Sequence, residues 1–155
     1  MKSVLFKSFL YAFLFAAAGQ SRVLGESPDD ICSMPSLPNC EQAVAVFEAF
    51  QKAVTNDDRK AVASMVQFPL RVRLGGNAAF ITDESQLLRN YDIVFDSAVK
   101  CEIARAKKTQ VRGNSQGFTV ADGVVWWERS DPPQSSFKAI RVDNSAFYHG
   151  CGEPK

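Results

Sequence analysis

Helical periodicity in the first half of the chain, period-two alternation gathered in the second, and a change between them that is not repeated predict an α+β fold rather than alternating α/β. Short turn signals between the later strands make the sheet mostly antiparallel. Such a sheet must bury one face, and the apolar stripes of the helices are the only cover the sequence offers. The expected architecture is therefore α+β, with N-terminal helices packed into the concave face of a strongly curved, mostly antiparallel sheet.

The elements follow in order. Asn39 with Gln42 three residues on resembles a capping box, and Ala43, Val46, Phe47, Phe50 and Val54 recur at helical spacing, predicting an amphipathic helix over 40–54. Asn56 and Asp57 stop it and cap a second, shorter helix carrying Ala61, Val62, Met65 and Val66, which Pro69 ends. Leu70, Val72 and Leu74 alternate with Arg71 and Arg73 as in a half-buried strand, and Gly75, Gly76 and Asn77 turn it into a partner over 78–81. Asp83 with Gln86 opens a third helix bearing Leu87, Leu88, Tyr91, Val94 and Phe95, followed by a helical continuation over 97–105. Strands are predicted over 109–112, 116–120, 124–129 and 137–142, with an Asp122-Gly123 hairpin turn and a loop over 131–135.

Length and composition bound the possibilities. With 155 residues and 23% charged side chains the chain fits one ordinary globular domain. Lys2 and Lys7 precede an apolar run over 9–18, with small residues up to Gly25, the pattern of a secretory signal peptide. That run is 10 residues long, too short to span a bilayer, so no stable membrane insertion is expected. Four segments are predicted: a removed signal peptide over 1–25, an extended segment over 26–40, a single domain over 41–148 and a tail over 149–155. The mature chain carries 15 basic against 17 acidic side chains, a charge of −2, which removes the support for a nucleic-acid partner. Its location is expected to be periplasmic or secreted. Cys32, Cys40, Cys101 and Cys151 are then expected to form two disulfides, for which three pairings exist; the tight Pro-containing loop favours Cys32 with Cys40, leaving Cys101 with Cys151. No C-x-x-C spacing and a single histidine disfavour a metal or redox site, and no cofactor is expected.

Several runs resemble exported bacterial proteins of the nuclear-transport-factor-2-like superfamily: Phe50-Gln51-Lys52-Ala53-Val54, Asp57-Asp58-Arg59-Lys60-Ala61-Val62-Ala63, Phe68-Pro69-Leu70-Arg71-Val72, Tyr91-Asp92-Ile93-Val94-Phe95, and Gln116-Gly117 with Gly123-Val124-Val125-Trp126. The resemblance covers about residues 41–129 and implies a cone of three helices and a curved sheet enclosing a pocket. Members include steroid isomerases, polyketide cyclases, dehydratases and binding proteins, so the resemblance speaks to fold more than to function.

Candidate chemistry is sparse. An isomerase-like site needs a carboxylate base and a neutral donor facing one dry pocket. Tyr91 and Asp92 supply both types, but adjacent helical positions point about 100° apart. Arg71 and Arg73 share a strand face and could hold a carboxylate or phosphate. Arg105, Lys107, Lys108 and Arg112 read as a solvated face, and His149 falls in the tail without a spaced nucleophile. Trp126 and Trp127 point to opposite faces, so one contacts the pocket or core. The expected ligand contacts are Phe47, Phe50, Tyr91, Phe95, Trp126, Arg71 and Arg73, with no catalytic or metal-binding residue assigned. The function expected is a non-catalytic binding module holding a small apolar ligand in the cone or a protein partner on the sheet, with a homodimer through the sheet also open. The alternative is a small isomerase, dehydratase or cyclase using a pocket carboxylate, for which Asp58, Asp92 and Glu128 are the groups to inspect.

Overall fold

The computed structural model describes Leu37, residues 39–74, 76–130 and 136–144, and Cys151. The expected signal peptide, Cys32, the 131–135 loop and His149 lie outside the described residues. Within them the chain is α+β: helices α1 (Cys40–Thr55), α2 (Arg59–Ser64), α3 (Glu84–Arg89), α4 (Tyr91–Val94) and α5 (Ser97–Arg105), and strands β1 (Val66–Leu74), β2 (Asn77–Ile81), β3 (Arg112–Gly113), β4 (Gly117–Val120), β5 (Val125–Arg129) and β6 (Phe137–Asp143). The strands form one open mixed sheet in the order β2-β1-β6-β5-β4-β3. Every neighbouring pair is antiparallel except β1 with β6, which run parallel. Local turn signals cannot report that pairing, because its two strands are separated by most of the domain.

The long helix spans the expected residues, but its start is built differently. Asn39 is left-handed (φ 61°) and makes no side-chain cap. With its amide oxygen turned toward Arg129, it accepts from that guanidinium at 2.8 and 3.2 Å instead. The second helix is capped by Asp58, whose carboxylate accepts from Ala61 N at 3.0 Å, and it ends at Ser64, so Val66 belongs to β1 and not to the helix. The cap moves one residue along because Asp57 is drawn into an ion pair with Arg59.

At the third helix the box is also shifted. Asp83 accepts from Gln86 N at 2.8 Å as expected, while the Gln86 side chain accepts from Thr82 N at 2.6 Å. What reads as one helix is two, broken at Asn90, whose side chain donates to Gln86 O at 2.8 Å; asparagine commonly offers such a local competitor to the helical ladder. The helix over 97–105 forms as expected, with Asp96 capping Val99 N. The 109–112 strand does not: Lys108–Gln110 is a 3-10 turn, and β3 is only Arg112–Gly113. The hairpin between β4 and β5 does form, though its turn is longer than the Asp-Gly pair. It is closed by Val120 opposite Val125, with positive φ at Ala121, Asp122 and Gly123. Gly117 is dictated by close approach, since a β-carbon there would collide with the Trp127 carbonyl oxygen of β5.

One core joins the helices to the sheet. Trp127 packs edge-on against Phe47 and Phe50 of α1 and stacks on Phe118 of β4 at 4.7 Å, while Phe50 also meets Phe95. Such aromatic pairs add roughly 0.5–1.5 kcal/mol each beyond the area they bury. A polar clasp accompanies them: Gln51 of α1 donates to Ile103 O and Ala106 O, both at 2.8 Å, satisfying carbonyls at the C-terminal end of α5. Cys101 of α5 is disulfide-bonded to Cys151, the expected pairing, with Cα atoms 5.8 Å apart. Cys40 is disulfide-bonded as well, and its expected partner Cys32 lies outside the described residues. A disulfide is compatible with an oxidising, extracytoplasmic compartment. No helix among the described residues is long and apolar enough to cross a membrane.

Candidate functional site

Alternation along β1 and β5 divides the predicted site residues between two faces. Leu70 and Val72 are buried, while Arg71 is exposed and Arg73 half-buried on the other side. Val125 and Trp127 point into the core, and Trp126 points out with 41% of its surface exposed. Of the predicted ligand contacts, Phe47, Phe50, Tyr91 and Phe95 are fully buried core side chains. Arg71 and Trp126 instead border a groove on the outer face of the sheet.

That face carries a continuous cross-strand row. Successive register pairs align Phe80 of β2, Arg71 of β1, Arg141 of β6, Trp126 of β5, Thr119 of β4 and Arg112 of β3. Two register shifts open this surface. Between β5 and β6, Trp126 pairs with Arg141 but Trp127 with Ala139, leaving Ile140 extra, so Ile140 and Arg141 both escape the core. Between β1 and β6, Val66 pairs with Ala139 but Arg71 with Arg141, so β1 arches over β6 through Gln67, Phe68 and Pro69. The resulting groove has a volume of about 410 Å³, with Ile140 and Arg141 on its floor, Phe68, Pro69 and Arg71 on one side and Trp126 and Glu128 on the other. Across Trp126 a second depression of about 330 Å³ runs toward Arg112, Asn114 and Gln116.

Charges on the floor are held in place by one carboxylate. Asp143 is buried and accepts from Arg141 Nη2 at 2.6 Å, with Arg73 Nη1 at 3.9 Å. Arg73 is thus drawn toward Asp143 and does not border the groove beside Arg71. Arg71 makes no hydrogen bond or ion pair among the described residues. Sequence reasoning named Glu128 only as a candidate pocket carboxylate and missed Phe68, Ile140 and Arg141 as groove residues. A signal for the last two exists: Phe137 and Ala139 share an inward phase that Val142 breaks.

A second cluster lies over Tyr91. Arg59 bridges Asp57 and Asp92 at 3.0 and 2.9 Å, and Lys100 contacts the same two carboxylates at 3.2 and 3.0 Å. Both cations lie over the Tyr91 ring, about 5 Å from its centroid. Burial pushes the Tyr91 hydroxyl up to about 12, the charge of Asp57 adding to it. Tyr91 Oη and Trp127 Nε1 are buried without a hydrogen-bond partner among the described residues. Asp57 is held below the usual carboxylate range first by Arg59 and then by Lys100, and Asp92 first by Lys100 and then by Arg59.

These depressed values give a pH dependence. A carboxyl whose folded pKa lies below its unfolded one stabilises above the unfolded pKa and loses that contribution as pH falls through the folded value. At low salt, the melting temperature of the wild type is expected to fall more steeply below about pH 4 than that of Asp92→Asn. High salt should merge the two profiles, because Asp57 and Asp92 are 50% and 63% exposed. Parallel profiles at low salt would show that the ion pairs of Asp92 contribute nothing to folding.

Other predicted positions are at the surface. Arg105 and Lys107 are exposed and border a small polar cavity of about 190 Å³ with Glu102 and Asp122, and Lys108 and Arg112 are exposed too. Among the described residues no group of three or more His, Cys, Asp or Glu side chains could hold a metal ion. No family model matches this chain, and no curated protein and no solved structure matches it significantly.

Proposed function

We propose that this chain is a non-catalytic, exported binding module of the nuclear-transport-factor-2-like kind, and that it binds through the outer face of its sheet. The observation that carries this reading is the groove beside Trp126. It presents a large exposed aromatic next to guanidinium groups, in a depression whose volume suits a small molecule. The helix-first order, the six-stranded sheet and the packing of Phe47 and Phe50 on Trp127 support the cone-like arrangement.

The carboxylates weighed for an acid-base mechanism are either engaged or exposed. Asp58 caps α2, Asp92 is tied to Arg59 and Lys100, Glu128 is exposed, and the buried Asp143 is paired with Arg141. None of them is a desolvated base facing an apolar site. One observation favours a second reading, binding inside the cone: Tyr91 Oη and Trp127 Nε1 are the donors an interior ligand would meet.

Amide and indole NMR of the intact protein, titrated with a small-fragment library, separates the two. The outer-face reading expects bound fragments to shift the Trp126 indole and the Ile140 and Arg141 amides. Shifts confined to the Trp127 indole and the amides of Phe47 and Phe50 would overturn it in favour of the interior, and turnover of any fragment would restore the enzyme reading.

A further inference from the structure

We infer that the groove floored by Ile140 and Arg141 is a site for a small monocarboxylate, its apolar body along Trp126 and its carboxylate received by Arg71 and Arg141. The inference rests on the outer-face reading and adds the chemistry of the ligand.

Three observations carry it. Arg71 and Arg141 are register partners on adjacent parallel strands and border the same groove. Like charges side by side on one sheet face repel, and an anion between them removes that cost. Asp143 offsets the charge of Arg141 and orients it at 2.6 Å, but Arg71 has no counter-charge among the described residues. A planar guanidinium fork beside a second one matches the geometry of a carboxylate.

The remaining wall supplies the apolar half. Phe68, Pro69, Ile140 and the exposed ring of Trp126 border the same space, which is enough for a ring or short chain. Glu128, on the Trp126 side, sets the charge of the ligand. A second anionic group there would meet a carboxylate, so dicarboxylates are disfavoured, while a neutral or donor group is accepted.

The test uses 4-phenylbutyrate, its neutral amide 4-phenylbutyramide and the dicarboxylate 4-(4-carboxyphenyl)butyrate as probes of the intact protein, followed by fluorescence and by the Trp126 indole resonance. The acid is expected to bind saturably at Trp126, with the amide about tenfold weaker or worse, the loss of one charge-assisted contact, and the dicarboxylate weaker than the acid through its second anion. Arg71→Gln should weaken the acid about tenfold and the amide far less, with the melting temperature unchanged. Glu128→Gln should tighten the acid and narrow the gap to the dicarboxylate.

Equal binding of acid and amide at Trp126 would overturn the carboxylate inference and leave the outer-face reading intact. So would an Arg71→Gln variant of full affinity, or the dicarboxylate binding tighter than the acid. Probes that shift only the Trp127 indole, or none that bind at all, would overturn the inference; the first of these would remove the outer-face reading with it.

Discussion

Phe50→Ala is expected to destabilise the protein by about 3–5 kcal/mol, whereas Arg71→Ala is expected to change stability by less than about 0.5 kcal/mol. Phe50 is wholly buried and lies between Phe95 and Trp127, with ring centroids at 6.1 and 5.2 Å. Its removal leaves a cavity between α1 and β5 that neighbours of this size fill poorly, so the cavity cost adds to the lost transfer energy. Arg71 stands on the other face, exposed and without an ion pair among the described residues, and its truncation relieves repulsion from Arg141. Denaturant unfolding of both variants with disulfides intact decides the point. A harmless Phe50→Ala together with a severe Arg71→Ala would mean that β1 and α1 present the opposite faces.

That contrast rests on what short-range pattern can convey. Alternation at Leu70, Arg71 and Val72 reports which side of a strand is wet, and the spacing of Phe47, Phe50 and Val54 reports which side of a helix is dry. Both survive folding because burial acts on each residue separately. The groove is different in kind. It arises from two register shifts on either side of β6 and from the parallel β1-β6 pairing, and these are relations between strands far apart in sequence.

The ligand contacts expected at Phe47, Phe50, Tyr91 and Phe95 rest on apolar faces meeting, and the same faces in contact make a core, as their burial shows. Apolar periodicity cannot tell a packed interior from a lined one. Trp126 and Trp127 illustrate the limit further. Sequence establishes that they point to opposite faces, but which one is inward depends on the β4 register that stacks Phe118 on Trp127. Capping failed for a related reason: Asn39 and Asp57 are good local caps, yet each is claimed by a long-range or charged partner, Arg129 in one case and Arg59 with Lys100 in the other.

Removing the Cys101–Cys151 bond by a double substitution to serine is expected to cost about 4 kcal/mol. The bond closes a loop with a sequence separation of 50, long enough that its absence returns substantial entropy to the unfolded chain. Both sulfurs sit at half-buried positions, so the exchange to serine opens no large cavity and the effect falls mainly on the denatured state. That origin predicts more than a lower midpoint. The unfolded ensemble of the double variant is less compact, so the denaturant m-value should rise while the native spectrum stays unchanged. Guanidinium unfolding followed by far-UV circular dichroism measures both quantities. A loss below about 1 kcal/mol with an unchanged m-value would show that the 50-residue link does not restrain the unfolded chain. Simple reduction of the wild type is not an equivalent experiment, because Cys40 is disulfide-bonded too and would be released at the same time.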